Sequence, residues 1–321
     1  MPKEEFCCVQ FDEVDWHDTS CLITYGPHSH KLLFSIKAVG LLQTVLLQRK
    51  EGGLFRIICG SRRLAACKEL MLEPITCRVL SSSIPLENCL RMAIYDNLAH
   101  RVLNPVEKAL VLAKMAEHME QSQLIGEFMP LLDLEPCVKL LNRYVKLLQH
   151  ERAILDSLAI GRLDERTGFA LTLFEPEDRF ALFKLFQEFP FSVSVQEEMI
   201  ESVLDIAQRH KVAPAEVIHA KDIKELREDE SRPARQRAHD IRGRIQARRS
   251  PRLIARKERF AKEVRELGLP AGVRLLPPPY FEGPKWSLEC SFERTDELAT
   301  RLRQVACLVD KPAFRRVIES Q

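Results

Sequence analysis

The sequence predicts a mainly α protein with α/β parts: an α/β N-terminal domain, an all-α helix-turn-helix middle domain and a small α/β C-terminal module. Three observations carry this. Between residues 35 and 98 short apolar runs alternate with helical patterns. From Asn104 onward helical periodicity is punctuated by Pro130, Pro136, Pro176, Pro190 and Pro214. After Pro277, Pro278 and Pro279 come two strand-like runs and one amphipathic helix. The expected domains are 1–103, 104–219, a basic helical linker 220–268, and 269–321.

The first thirty residues carry no clear pattern. Ser35–Leu42 reads as a short helix closed by Gly40, since glycine accepts the left-handed cap. Val45–Leu47 is a strand, Glu51-Gly52-Gly53 a turn, and Leu54–Cys59 a second strand. A helix opens at Gly60 and runs to about Leu70; Ile75–Leu80 alternates like a third strand. Leu86–Leu98 has apolar residues at 86, 90, 94 and 98, a helical repeat. Asn104 is a good N-cap, Pro105 fits the first helical position, and Glu107 completes a capping box. Leu124–Leu132 and Cys137–Leu148 form the helix-turn-helix pair, with the turn at Leu134–Pro136. On the second helix Val138, Leu141, Val145 and Leu148 are expected to face the core. The C-terminal module reads as strands Val273–Leu276 and Lys285–Phe292 and helix Asp296–Leu308.

The chain has 321 residues, 45% apolar and 29% charged, enough for several cores. No apolar run approaches the length of a membrane helix, and the start lacks the basic-then-apolar pattern of an export signal. The expectation is a cytoplasmic, nucleoid-associated protein with no membrane partner. Ten cysteines with no Cys-x-x-Cys pair read as reduced thiols. Cys7, Cys8, His17, Cys21, His28 and His30 match no compact zinc spacing, so no structural metal is expected.

Net charge is +2, but Arg232–Arg265 holds thirteen Lys/Arg against three acids. Such asymmetry suggests a polyanion partner, because neutralised phosphates release counterions. The competing reading is a helix face that holds acidic neighbours.

Two sites stand out. Gly60, Ser61, Arg62 and Arg63 lie at a strand-to-helix junction, where free N–H groups and two guanidinium forks suit a phosphate. Asp96 and Asn97 end the next helix, where an acid beside an amide suits a hydrated cation on a triphosphate, or Asn97 simply caps the helix. On the expected recognition helix, Lys139, Asn142, Arg143 and Lys146 share one stripe. Lys and Arg suit phosphates or guanine, and Asn suits adenine. A plain amphipathic helix explains that stripe equally well.

Ser35-Ile36 through Gly40-Leu41-Leu42-Gln43, then Gly60–Ala66, then Asp96 through Asn104-Pro105 and Ala109, in that order and spacing, resemble the ParB partition proteins. The resemblance covers about 35–217. It implies a ParB/sulfiredoxin-like N-terminal domain that binds CTP with magnesium, a dimer clamped around double-stranded DNA, and a partition ATPase as a further partner. It assigns Gly40, Gly60, Ser61, Arg62, Arg63, Asp96 and Asn97 to the nucleotide. Asp96 and Asn97 also reach its magnesium, and Lys139, Asn142, Arg143 and Lys146 touch DNA.

The departures are specific. The family's glutamate before the paired arginines is Ser61, and its second glutamate is the shorter Asp96. Ala99-His100 replaces Gln-Arg, Thr44 and Gln48 replace proline and arginine, and Glu135 or Asp133 stands for the turn glycine. Fewer carboxylates around a cation weaken hydrolysis most, so a weak or absent CTPase is expected. The function implied is DNA partition, chromosome segregation or transcriptional regulation gated by CTP. Two alternatives stand beside it: an adaptor without nucleotide binding, and a sulfiredoxin- or nuclease-like enzyme using Cys59.

Overall fold

The computed structural model describes residues 4–26, 29–310 and 312–319. Its N-terminal part is a four-stranded sheet of β1 (Glu4–Val9), β2 (Val45–Arg49), β3 (Phe55–Cys59) and β4 (Ile75–Leu80). The helices α1 (His30–Val39), α2 (Ser61–Glu69) and α3 (Leu86–His100) accompany it. Strand order is β1-β4-β2-β3, with β2 and β4 parallel and the other pairs antiparallel. The two parallel strands are the buried ones, as parallel pairing requires cover on both faces. Val45, Leu47, Cys77 and Val79 join Phe55, Leu64 and Ile36 in one core.

Two elements differ from the sequence reading. β1 was not expected, and it is an edge strand that exposes most of its side chains. α1 starts at His30, because the Ser29 hydroxyl accepts from Leu32 N at 3.2 Å and caps it. Its end is as expected, with Gly40 at φ 76°.

The loop after β1 is pinned by charge. Lys50 Nζ donates to Asp15 at 2.6 Å and Asp18 at 2.9 Å, and Arg56 Nε donates to Asp18 at 2.7 Å. Gln48 is buried beside them. Its amide donates to Ile84 O at 2.8 Å, and its oxygen accepts from Arg56. An arginine here could still donate to a carbonyl but could not accept from Arg56, so glutamine at 48 serves the fold.

The helical region follows with α4 (Pro105–Met115), α5 (Gln121–Gln123), a π-helical turn Leu124–Phe128, α6 (Met129–Leu131) and α7 (Val138–Leu147). Then come α8 (Arg152–Ala159), α9 (Glu165–Leu171), α10 (Pro176–Glu188) and α11 (Val193–His210). Between α6 and α7, Asp133 adopts φ 55°, a left-handed conformation that aspartate tolerates better than most residues. It therefore fills the place where a turn glycine was sought.

The inward face of α7 is a correction. Leu141, Tyr144 and Leu147 are buried, whereas Val138 is 48% exposed and Val145 36%. Tyr144 centres the buried arc and meets Phe169 edge-on at 5.2 Å. An arc centred on Tyr144 with Leu141 and Leu147 beside it leaves Val138 and Val145 at the margins of the helix. Further along, Arg179 is buried but forks onto Glu151 at 3.0 and 2.9 Å, which offsets its desolvation.

The chain divides into two compact units, Met1–Glu197 and Glu198–Gln321. The second contains α12 (Pro214–Ile218), α13 (Lys221–Glu228), α14 (Ala234–Arg249) and α15 (Pro251–Leu267). A hairpin of β5 (Val273–Leu276) and β6 (Ser287–Cys290) follows, then α16 (Thr295–Val309) and α17 (Pro312–Glu319). α17 was not expected. Its Phe314 and Val317 join Leu267 and Leu275 in a small core against Phe260, Val264 and Trp286.

The Asp18 carboxyl carries a pH signature. Burial pushes its pKa up, but hydrogen bonds from Lys50, Ser20 and Arg56 prevail and hold it well below 3.8. A depressed folded-state pKa gives stability that is present above 3.8 and lost as the pH falls through the folded value. Asp18→Asn is therefore expected to cost about 2 kcal/mol in urea unfolding at pH 7. The gap between wild type and variant should close in strong acid.

Candidate anion site and basic face

β3 ends at Cys59, and Gly60 turns the chain into α2 at φ 87°, ψ 24°. That left-handed corner favours glycine, and a Cβ there would lie 3.1 Å from the Arg63 guanidinium. No side chain caps the first turn of α2. Its N–H groups and the positive end of its dipole therefore face outward beside two arginines. Gly60, Ser61, Arg62, Arg63, Asp96 and Asn97 all line one cavity of about 400 Å³. Gly40 does not line it; it closes α1.

The two arginines are held differently. Arg63 Nη1 donates to Gln43 O at 3.0 Å, Gln43 Oε1 at 3.2 Å and Thr44 O at 3.3 Å. All three acceptors are neutral. Arg62 Nη2 donates to Tyr25 O at 2.8 Å and lies 3.6 Å from Glu107 Oε1, while its buried Nε has no partner. Burial, then the nearby Arg101, lower the Arg62 pKa against the pull of Glu107.

Glu107 is the hub of this corner. Its side chain is fully buried. Oε1 accepts from Tyr25 N at 3.0 Å; Oε2 accepts from Asn104 N at 3.1 Å and Arg101 Nη1 at 2.5 Å. Asn104 Oδ1 in turn accepts from Glu107 N at 3.0 Å, closing the capping box of α4. Arg101 extends the network by donating to Asn97 Oδ1 at 2.8 Å, and Asn97 Nδ2 donates to Ala93 O at 2.8 Å. Neither the charge-bearing role of Glu107 nor Arg101 was named from sequence. The capping box was the one available signal.

Asp96 sits beside the Cys59 thiol, whose pKa burial, then Asp96, pushes up to about 12. A thiol that stays protonated at neutral pH is a poor nucleophile. Among the described residues no group of three or more His, Cys, Asp or Glu could hold a metal ion. His28 of the suspected zinc set lies outside the described residues. Asp96 is the one carboxylate among the described residues lining the cavity, and the Asn97 oxygen already accepts from Arg101. The donors suit a polyphosphate; a magnesium ion carried by it would find Asp96 alone as a charged ligand.

The second site is the outer face of α7. Lys139, Asn142, Arg143 and Lys146 are all exposed and line an open groove of about 730 Å³ against α9. Arg166, not named from sequence, joins them from α9, and Arg143 lies 5.8 Å over the Phe169 ring. Arg143 forms no ion pair among the described residues, and Glu197 is the acid that lines the same groove.

Comparison with known proteins finds a match over the N-terminal part of the chain. Residues 28–98 match the ParB N-terminal domain model. This chain contains a ParB N-terminal domain. Relatives include the probable chromosome-partitioning protein ParB of Pseudomonas putida, 29% identical over 93 residues, 29% of this chain and 31% of the relative. The YubM protein of Escherichia coli O157:H7 is 31% identical over 146 residues, 44% of this chain and 22% of the relative. The probable ParB of Neisseria meningitidis is 29% identical over 147 residues, 42% of this chain and 51% of the relative. The match thus spans about a fifth to a half of these relatives' lengths. Among solved structures, a C-terminally truncated Caulobacter crescentus ParB complexed to parS aligns with TM-score 0.33 and 19% identity, covering 56% of this chain and 91% of that one. The same protein complexed with CTP-γ-S aligns with TM-score 0.26 and 18% identity over 57% and 98%.

Removing the hub carboxylate should be costly. Glu107→Ala leaves Arg101 and Arg62 beside an emptied, buried cavity, and is expected to destabilise the protein by about 3 kcal/mol. Glu107→Gln keeps the cap acceptor and should cost less. Thermal denaturation of the two variants checks both the size and the order.

Proposed function

We propose that this chain is a ParB-like DNA-binding protein of partition or regulatory type, whose N-terminal cavity takes CTP with magnesium. The observation that carries the reading is the pair of guanidiniums lining the cavity at an uncapped helix start, one of them held only by neutral oxygens. Bound there, the triphosphate supplies negative charge and a magnesium ion. The chain's own residues do the rest. Gly60 lets the backbone approach, Arg63 and the first-turn N–H groups meet the phosphates, and Arg62 turns between Glu107 and the anion. Asp96 is the residue for the magnesium. Asn97 serves the site by holding Arg101. With one carboxylate at the cation, hydrolysis is weak or absent.

Duplex DNA lies against the outer face of α7, where α5, α6 and the turn at Asp133 set it up as the second helix of a helix-turn-helix. Lys139, Arg143, Lys146 and Arg166 face phosphate or guanine, and Asn142 faces adenine. The protein works as a homodimer on the nucleoid, with a partition ATPase as partner. No helix among the described residues is long and apolar enough to cross a membrane.

The adaptor reading keeps one observation in its favour: Arg62 already rests on Tyr25 O and near Glu107. The reductase reading has against it the buried Cys59 and its raised pKa.

Two measurements test the proposal. Calorimetry with CTP and magnesium should show saturable binding that Arg63→Ala weakens at least about tenfold; heat from no nucleotide would favour the adaptor. Lys139→Ala, Arg143→Ala and Lys146→Ala should each reduce the salt slope of duplex binding by about one. Slopes identical to wild type would displace DNA from this face.

A further inference from the structure

The basic segment of the second unit does not act as one patch. On α14 and its N-terminal flank four arginines pair with acids of the same unit. Arg242 meets Glu198 at 2.5 Å, Arg249 meets Asp205 at 2.7 Å, Arg248 meets Asp222, and Arg232 meets Asp229 and Asp240. The face of α15 is different. Arg252, Arg256 and Arg259 recur at helical spacing and line one cavity of about 370 Å³. Arg252 and Arg259 form no ion pair among the described residues, and Glu263 is the single acid in the lining.

The facing wall is aromatic. Phe260 packs on Phe281 at 5.5 Å and on Trp286 at 5.7 Å, and the Arg256 guanidinium lies 5.1 Å over the Phe281 ring. Phe281 has φ 59°, a conformation a bulky residue adopts only when its surroundings enforce it. Its ring is largely buried between the Arg256 guanidinium and Phe260 and still lines the cavity. A second cavity of about 720 Å³ shares Arg252, Arg256 and Phe281 and continues the groove.

We propose that this cavity binds a nucleotide unit, its base against the aromatic wall of Phe281 and Trp286 and its phosphate on Arg252 and Arg259. The volume suits one such unit. Forked guanidiniums answer a phosphate, and flat rings beside cations answer a base, the combination that holds unstacked nucleotides. A free mononucleotide and one residue of a single strand present the same chemistry. The site is separate from the Gly60 cavity and stands whether or not that cavity takes CTP.

The test reads Trp286 emission in the full-length protein with Trp16→Phe, titrated with AMP and with oligo-dT. Both should quench saturably. Arg252→Ala combined with Arg259→Ala, two exposed positions, should weaken quenching about tenfold or more, with an unchanged thermal midpoint. Arg63→Ala should leave it unchanged. Tighter binding of oligo-dT than of AMP identifies a strand as the source; equal affinity identifies the free nucleotide. The proposal is overturned if neither probe quenches, or if the double variant behaves as the parent. It also fails if duplex DNA quenches as tightly as oligo-dT, or if polyglutamate displaces AMP, which would mark an acidic protein partner.

Discussion

A buried carboxylate holds the N-terminal domain to the helices that follow. Glu107 pays a desolvation cost of several kcal/mol and recovers it from two backbone N–H groups and two guanidiniums. Each of those donors belongs to a different part of the chain: the loop at Tyr25, the end of α3, the start of α4 and the phosphate-type corner of α2. Because the charge cannot be left unpaired, these four segments keep one arrangement. Arg62 is the loosest of the set, at 3.6 Å, and both it and Arg101 line the cavity. An anion bound there, as proposed, would compete with Glu107 for Arg62 and so reach α4.

Charge in this protein is informative only after pairing. The run Arg232–Arg265 is as basic as a nucleic-acid arm in sequence. In the second unit Arg232, Arg242, Arg248 and Arg249 are answered by acids, some of them distant in sequence, such as Glu198 and Asp205. The reading of a helix face with acidic neighbours fits Arg242, Arg248 and Arg249 of α14, whereas on α15 Arg252 and Arg259 form no ion pair among the described residues. Exposed pairs of this kind contribute little to stability, so their main effect is to confine positive potential to one helix face.

The sheet strands β2–β4 and the starts of α2 and α4 were legible because local rules suffice there. Apolar runs, Gly60 and the Asn104 capping box each act within a few residues. β1 was not legible, since an edge strand showing most of its side chains has no apolar period to read. The face of α7 was misread because spacing alone ranks Val138 and Val145 with Leu141, while Tyr144 wins the interior through its contact with Phe169. Gly60, Arg62, Arg63, Asp96 and Asn97 do share one cavity. What sequence could not supply was Arg101 and the Tyr25 backbone, whose roles exist only once Glu107 brings them together.

If the cavity takes CTP and α7 faces duplex DNA as proposed, Glu107 is the group that couples the two. Duplex affinity measured with and without CTP and magnesium, in wild type and in Glu107→Gln, tests it most directly, since coupling is a ratio of affinities. The account predicts that CTP changes duplex affinity in wild type and leaves it unchanged in Glu107→Gln, while that variant still binds CTP. An equal change in both proteins would contradict it.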